Sequence, residues 1–310
     1  MSATPFLTGL AVGHAQDTAA RTGCTVLLGP FRGACDVRGA ATGSRELDTL
    51  RAPHVVRAVD ALLLTGGSAF GLAAADGVMA WLEARGRGFE TGAARVPIVP
   101  AAVIYDLGVG RADVRPDAAM GSAACAAARA DAPAEGAVGA GAGATVGKVL
   151  GPAAADRGGF GCASAACGAW RVVALAAVNA LGDVLAADGT ILAGARTADG
   201  AFADSARLLR EGRAGTAGPL APPGTNTTLA VVATDAPLDG AALLVLARAA
   251  GAALGRRISP VNTLFDGDVV CALSTAATAA AVAPGTQLAL GAAGAAVLEE
   301  ALERAVTVGR

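Results

Sequence analysis

A strong nucleophile needs a proton acceptor, and this chain carries few of the usual ones. It has two histidines, His14 and His54, neither in a catalytic context, so a Ser-His-Asp mechanism has little to build on. The remaining route is a Thr, Ser or Cys whose own α-amine serves as base, which requires that residue to become a chain N-terminus. Asn226-Thr227 meets the physical requirement. The preceding stretch, GRAGTAGPLAPPGT over 212–225, is loop by composition and presents the peptide bond. The stretch that follows, TTLAVVATD over 227–235, reads as a buried strand able to hold a hydroxyl and an amine in fixed geometry. An ordinary loop-to-strand junction, with Thr present for its β propensity, fits the same residues.

Scarcity marks further candidates. Against 23 arginines stands a single lysine, Lys148; there is one tyrosine, Tyr105, and there are three asparagines, Asn179, Asn226 and Asn262. A composition so biased toward Arg and Ala removes Lys and Asn where nothing requires them, and chemistry is one reason for the survivors. Asp266 and Asp268, in Phe265-Asp266-Gly267-Asp268, lie two residues apart and share a face if the backbone is extended. Taken alone, Asp-Gly-Asp also fits a solvated turn or a cation site.

Several motifs fail on spacing. GAGATVGKV around Lys148 has Ala142 at the first Walker glycine and Val149 where Ser or Thr should follow. A dinucleotide fingerprint from Gly141 and Gly143 would need glycine at Val146. GGSAF puts Phe70 where a nucleophile elbow needs glycine, which leaves Ser68 as a helix N-cap. Six cysteines form no C-x-x-C, and with two histidines zinc spacing is absent, so no metal or cofactor is expected and the thiols read as reduced and mostly buried.

The elements that must position these residues follow from periodicity. Strands are expected over 62–67, 96–104, 227–235 and 269–273, with a hairpin of 170–178 and 182–187 around Asn179. Helices are expected over 68–85, 120–130, 238–257 and about 287–305. The alternation gives an α/β class. With 54% hydrophobic but 3% aromatic residues and 82 alanines, the core must be built from small side chains that let layers approach closely. A net charge of −2 provides no basic excess for nucleic acid, no run reads as a membrane span, and the N-terminus lacks a signal-peptide pattern, so a cytoplasmic protein is expected.

Taken together the segments GLAVGHA, GCTVLL, DVRGAATGSRE, LLTGGSAFGL, VPIVPAAVIYDL, GATVGKV, NTTLAVVATDAPL and PVNTLFDGDVVCALST resemble the DmpA-type, β-aminopeptidase-like family of self-processing amidohydrolases. Their order and extent, from about Leu7 to the final helix, are most similar to the branch containing 6-aminohexanoate-oligomer hydrolase. The resemblance implies a four-layer αββα sandwich of N-terminal-nucleophile type in one catalytic domain, 1–310, self-cleaved into 1–226 and 227–310. It implies Thr227 as nucleophile with Asn226 supplying the scissile carbonyl, Lys148 against the nucleophile, and Asn179 holding the oxyanion. Asp266 and Asp268 match a carboxylate pair beside the nucleophile, and Tyr105 a residue of the substrate cleft. The aminopeptidase branch is expected to have Ser and Glu at the carboxylate positions, where this chain has two Asp. The expected substrate is a small peptide or amino-terminated oligomer, and the expected assembly a homo-oligomer such as a tetramer. Acyl transfer by the same acyl-enzyme, or an unprocessed binding protein on the same fold, are the rival readings.

Overall fold

The computed structural model describes residues 6–51, 54–215 and 222–309. Its centre is a pair of sheets joined by one long strand. In chain order the strands are β1 (Ala11–Asp17), β2 (Thr22–Val37), β3 (Ser44–Arg45), β4 (Val59–Thr65) and β5 (Ala101–Val103), then β6 (Gly159–Cys167), β7 (Trp170–Asn179), β8 (Thr227–Thr234) and β9 (Val269–Ser274). They run β6-β7-β8-β9-β2-β4-β5-β3, with β1 on the other edge of the first half of β2. The pairs β8/β9 and β4/β5 are parallel and the others antiparallel. The register of β2 shifts between Leu28 and Phe31. Pro30, which has no N–H to give a ladder, sits in that irregularity, and there β2 passes from one sheet to the other.

Alternation along the strands sorts side chains into three apolar layers. Leu27 and Phe31 of β2, Leu62 and Leu64 of β4, Leu175 of β7, Leu229 and Val231 of β8 and Leu273 of β9 fill the space between the sheets. The opposite faces of β7 and β8, with Ala174, Ala176, Ala230 and Val232, pack under helices α4 (Gly240–Ala250), α5 (Ala252–Arg257) and α6 (Pro284–Thr307), which follow the short α3 (Ser205–Arg210) in the chain. Cys24, Val26, Ala61 and Leu63 pack under α1 (Ala74–Glu83) and α2 (Ala118–Ala127). The result is helix, sheet, sheet, helix: a four-layer αββα sandwich. All eight residues of β8 are buried, as a strand covered on both faces requires.

The alanine and glycine content has a packing cause. A Cβ on Gly161 of β6 would collide with the Ala301 carbonyl of α6, and one on Gly121 of α2 with the Ala74 carbonyl of α1. Larger side chains would push these layers apart.

Several expected elements differ. The helix expected from Ser68 begins as a 3-10 turn over Ser68–Ala73; Ser68 has φ of 53° and Gly67, without a side chain, takes the cap position. The strand expected over 96–104 is interrupted, leaving Arg95–Val96 and Ala101–Val103. The helix expected over 238–257 breaks at Gly251. The hairpin partner of β7 is β6, a strand not foreseen; Asp183–Leu185 instead pairs with Ile191–Ala193 and Ile258–Ser259 in a small separate sheet. Part of the 212–225 loop, residues 216–221, lies outside the described residues. The strand that follows the loop, β8, pairs with β7 in the central sheet.

Cys35 and Cys271, expected as thiols, face each other across β2 and β9 with Cα atoms 4.2 Å apart and are joined as a disulfide. Directly opposed positions on antiparallel strands bring two Cβ atoms close, a consequence of register that spacing in sequence does not carry. Cys24, Cys125 and Cys162 are buried free thiols. Among the described residues no helix is long and apolar enough to cross a membrane.

Candidate active site

Strand register assembles the site from four distant segments. Asn179, the last residue of β7, is paired with Thr227, the first of β8. On the other side of β8, the parallel pairing with β9 extends back beyond both strands to a bridge between Asn226 and Asp266. Thr227 is therefore flanked by Asn179 on one side and by Gly267 on the other. Gly267 has no alternative residue here, because a Cβ would lie 2.9 Å from Thr227 Oγ1 and 2.7 Å from the Ala41 carbonyl oxygen.

The fourth segment carries Lys148. Gly147 and Lys148 donate their backbone N–H groups to the carbonyls of Gly182 and Leu181, both 2.9 Å, which ties the loop to the turn after β7. Gly147 has φ of +70°, and a Cβ there would collide with the Ala195 amide. This fold-back turns Lys148 into the interior, where it is 4% exposed.

The bonds within the site orient its groups. Lys148 Nζ donates to Asn179 Oδ1 at 2.8 Å and to the Asn179 carbonyl at 3.0 Å. Asn179 Oδ1 also accepts the Thr145 N–H at 3.0 Å. Only the amide oxygen can accept from these donors, so Nδ2 must point the other way. It donates to the carbonyls of Tyr105 at 3.1 Å and Thr225 at 3.4 Å, the latter one residue before the Asn226-Thr227 junction. Thr227 Oγ1 donates to the Asn226 carbonyl oxygen at 2.5 Å. The same oxygen accepts the Gly267 N–H at 2.8 Å. A hydroxyl and a polarising backbone donor thus converge on one peptide carbonyl.

The carboxylates are buried and fully engaged. Asp268 accepts the Thr228 N–H at 2.6 Å on one oxygen and the Asn262 N–H at 2.9 Å on the other. Asp266 accepts the Leu181 N–H at 3.3 Å on one oxygen, and on the other the Thr263 N–H at 3.1 Å and hydroxyl at 2.5 Å. Burial pushes Asp268 up to about 7, with the neighbouring Asp266 charge adding to the effect. Burial likewise pulls Lys148 down from 10.5 to about 7, opposed by the charges of Asp266, Asp268 and Asp106. A buried lysine near neutrality can release and recover a proton, which a solvated one at pH 7 does not.

The structure brings Lys148, Asn179, Asn226, Thr227, Asp266 and Asp268 into one cluster. Tyr105 enters it through its carbonyl, and its residue lines a cleft of about 140 Å³ together with Val109, Thr145, Lys148, Pro152 and Thr225. Sequence reasoning passed over three participants. Asp106 is a third buried carboxylate acting on Lys148; its oxygens accept the Gly67 N–H and the Thr22 hydroxyl, both at 2.7 Å, and burial raises its pKa. Its adjacency to the lone tyrosine was the available signal. Thr145 and Gly267 act largely through backbone N–H groups, which residue type does not reveal. Among the described residues, no three His, Cys, Asp or Glu side chains are gathered as a metal site would need. His14 is a packing residue: its Nδ1 lies 2.9 Å from Thr25 Oγ1, its ring meets Phe160 edge-on, and burial lowers its pKa to about 4.

Residues 7–310 match the model of peptidase family S58. An uncharacterized aminopeptidase of Mycobacterium tuberculosis (strain ATCC 25618 / H37Rv) is 44% identical, with 97% of this chain and 91% of that protein covered. A 6-aminohexanoate-oligomer endohydrolase of Agromyces sp. (strain KY5R) is 30% identical, covering 86% of this chain and 73% of that protein. Among solved structures, a Burkholderia sp. β-aminopeptidase superposes with a TM-score of 0.69 at 23% identity, covering 97% of this chain and 85% of that one. The L-aminopeptidase D-Ala-esterase/amidase of Ochrobactrum anthropi, described as a new variant among the Ntn-hydrolase fold, gives 0.70 at 18% identity, with coverages of 97% and 86%. The four-layer sandwich is thus of Ntn-hydrolase type, and this chain belongs to peptidase family S58, as a hydrolase of amide bonds.

Proposed function

We propose that the chain cuts itself between Asn226 and Thr227 and then uses Thr227 to hydrolyse amide bonds of small peptides or amino-terminated oligomers. The observation that carries this reading is the Thr227 hydroxyl beside the Asn226 carbonyl, whose oxygen already accepts the Gly267 N–H. In self-cleavage Oγ1 gives up its proton and bonds to the Asn226 carbonyl carbon. The Gly267 N–H supports the negative charge that develops on oxygen. The C–N bond then breaks, the Thr227 nitrogen takes a proton, and water hydrolyses the resulting ester to leave Asn226 as a carboxylate and Thr227 with a free α-amine. That amine, with an ordinary pKa of about 8, becomes the base for later turnovers. Substrate amides follow the same path through an acyl-enzyme. Asn179 Nδ2, fixed by the Lys148 and Thr145 bonds to its oxygen, is the donor available for the substrate oxyanion once Thr225 moves away. A homo-oligomer, such as a tetramer, is proposed on family resemblance.

A denaturing mass spectrum tests the reading. At 29.8 kDa in total, residues 227–310 should appear at roughly 8 kDa and residues 1–226 at roughly 22 kDa, in proportion to length. Thr227→Ala should remain a single chain with no amidase activity. A stable full-length wild-type chain that hydrolyses amides would overturn the proposal.

A further inference from the structure

Resting on self-cleavage by Thr227, we propose that Asp106 is a positioning residue of this site, a buried carboxylate that acts through Lys148 by its charge and through Asn179 by its anchorage. It follows Tyr105 directly, a short way beyond the end of β5. The Tyr105 carbonyl accepts Asn179 Nδ2 at 3.1 Å. Holding residue 106 therefore holds, one peptide away, the acceptor on which the Asn179 amide is oriented.

The turn after β4 is built closely around this carboxylate. Asp106 Oδ1 accepts the Gly67 N–H and Oδ2 accepts the Thr22 hydroxyl, both at 2.7 Å. A Cβ on Gly66 would lie 2.1 Å from Oδ2, and one on Gly143 would lie 2.7 Å from the Asp106 Cβ, so both approaches require glycine. The segments on either side are tied as well: Ser68 N–H donates to the Ile104 carbonyl at 3.0 Å, and Ile104 N–H to that of Thr65 at 2.8 Å. The Gly66-Gly67-Ser68 run, which fails as a nucleophile elbow, is thus the cradle of Asp106.

A carboxylate is a costly way to tie a turn, because a neutral amide oxygen would accept the same N–H without desolvating a charge. Lys148 gives the charge its purpose. Burial drives that lysine toward its neutral form, and the charges of Asp266, Asp268 and Asp106 oppose the loss of its proton. Burial also pushes Asp106 up, opposed by the Thr22 and Gly67 bonds and by the Lys148 charge. The three acids differ in what else they hold. Asp268 accepts the Thr228 N–H, next to the nucleophile, and Asp266 binds Thr263, so substituting either disturbs the junction itself. Asp106 binds Thr22 and Gly67, so its charge can be removed with the bonds of Thr227 and Thr228 left in place.

Because the chain has a single lysine, Lys148 can be read directly. Full-length protein carrying Thr227→Ala, which keeps the chain whole, and lysine isotopically labelled at Cε gives one side-chain resonance to follow against pH. Its midpoint, about 7 with Asp106 in place, should fall by at least about half a pH unit in Asp106→Asn and in the smaller Asp106→Ser, since each removes the charge. With Thr227 restored, Asp106→Asn should move the rise in self-cleavage rate to lower pH by the same amount. Thr22→Val removes one hydrogen bond and leaves the charge, and should move the midpoint by less than half as much. An unchanged midpoint in folded Asp106→Asn or Asp106→Ser overturns the assignment and leaves self-cleavage standing. An equal shift in Thr22→Val also overturns it, because loosened packing would then account for the effect. A shifted midpoint with an unshifted cleavage profile removes Asp106 from the reaction. A wild-type chain that never cuts itself overturns the Thr227 reading whatever the lysine midpoint does, and with it the reaction that Asp106 would serve.

Discussion

Two hollows in this protein differ in the opposite sense to their size. The larger, about 700 Å³, lies on the outer face between α4 and α6, with Val245 56% and Leu288 77% exposed and alanines and glycines forming its floor. Its charged groups, Arg256 and Glu299, are paired with each other at one side. The smaller, about 140 Å³, opens over Lys148 and Thr225, the residue that precedes Asn226. The described residues lining the first include no nucleophile. The second sits over a lysine and three carboxylates taken out of water, an arrangement that costs stability and persists where something other than stability is gained. In locating chemistry, desolvated charge is therefore the better guide than volume.

Substitutions in the two hollows test this contrast. Beyond the complete loss expected for Thr227→Ala, the largest effect belongs to Asn179→Ala, which removes the oriented Nδ2 donor. Turnover should fall by about 10²–10³, as for other oxyanion donors. Steady-state kinetics on the cleaved protein check this, and a loss below tenfold would remove Asn179 from that role.

Lys148→Arg should lose at least about a hundredfold in amidase activity while circular dichroism stays native. The planar guanidinium is larger than an ammonium, bonds with different geometry and stays charged throughout the accessible pH range. Near-normal turnover in a cleaved Lys148→Arg protein would make the lysine dispensable.

The pH dependence of self-cleavage has a definite sign. Lys148, lowered to about 7, passes to its free base as pH rises through that value, and Asp268, raised to about 7, loses its proton over the same range. The charge of Asp268 acts on Lys148 together with those of Asp266 and Asp106. Proton removal from Oγ1 favours the deprotonated pair, so cleavage of freshly translated chain should accelerate from pH 6 to 8 and then level. Lys148→Arg should flatten that rise, since arginine does not release its proton there. A rate that falls across this window would reverse the assigned direction.

The smallest effect is expected in the larger hollow. Val245→Glu combined with Leu288→Glu alters exposed positions on helices remote from the junction, and both self-cleavage and turnover should stay within about twofold of the wild type. Loss of processing in this double variant would show that the outer helical layer controls the site and would erase the contrast between the hollows.

Most members of the buried cluster were legible in residue identity. The lone Lys148, the Pro/Gly loop running into Asn226-Thr227, and the Asp266-Gly267-Asp268 spacing are local features, and each contributes to the cluster that the fold assembles. The β/α alternation and the final helix were equally local. What failed depended on partners far away in sequence. β6 reads as GFGCASAAC, too small and glycine-rich to signal a strand, and becomes one because α6 packs so closely on it and β7 pairs with it. Ser68 resembles a cap, yet the turn at Gly67 is held by Asp106, 39 residues away.

Residue types alone supply an inventory: one lysine, one tyrosine, three asparagines, an abundance of alanine, and a junction where a threonine opens an apolar, β-branched run. Which of these meet is a matter of strand pairing. The register of β7, β8 and β9 sets Asn179 and Gly267 on either side of Thr227, turns the Asn179 amide by giving its oxygen to Lys148, and opposes Cys35 to Cys271. Register is a property of strand pairs, fixed by the packing of whole faces, and a one-residue slip would send each of these side chains to the opposite side of the sheet.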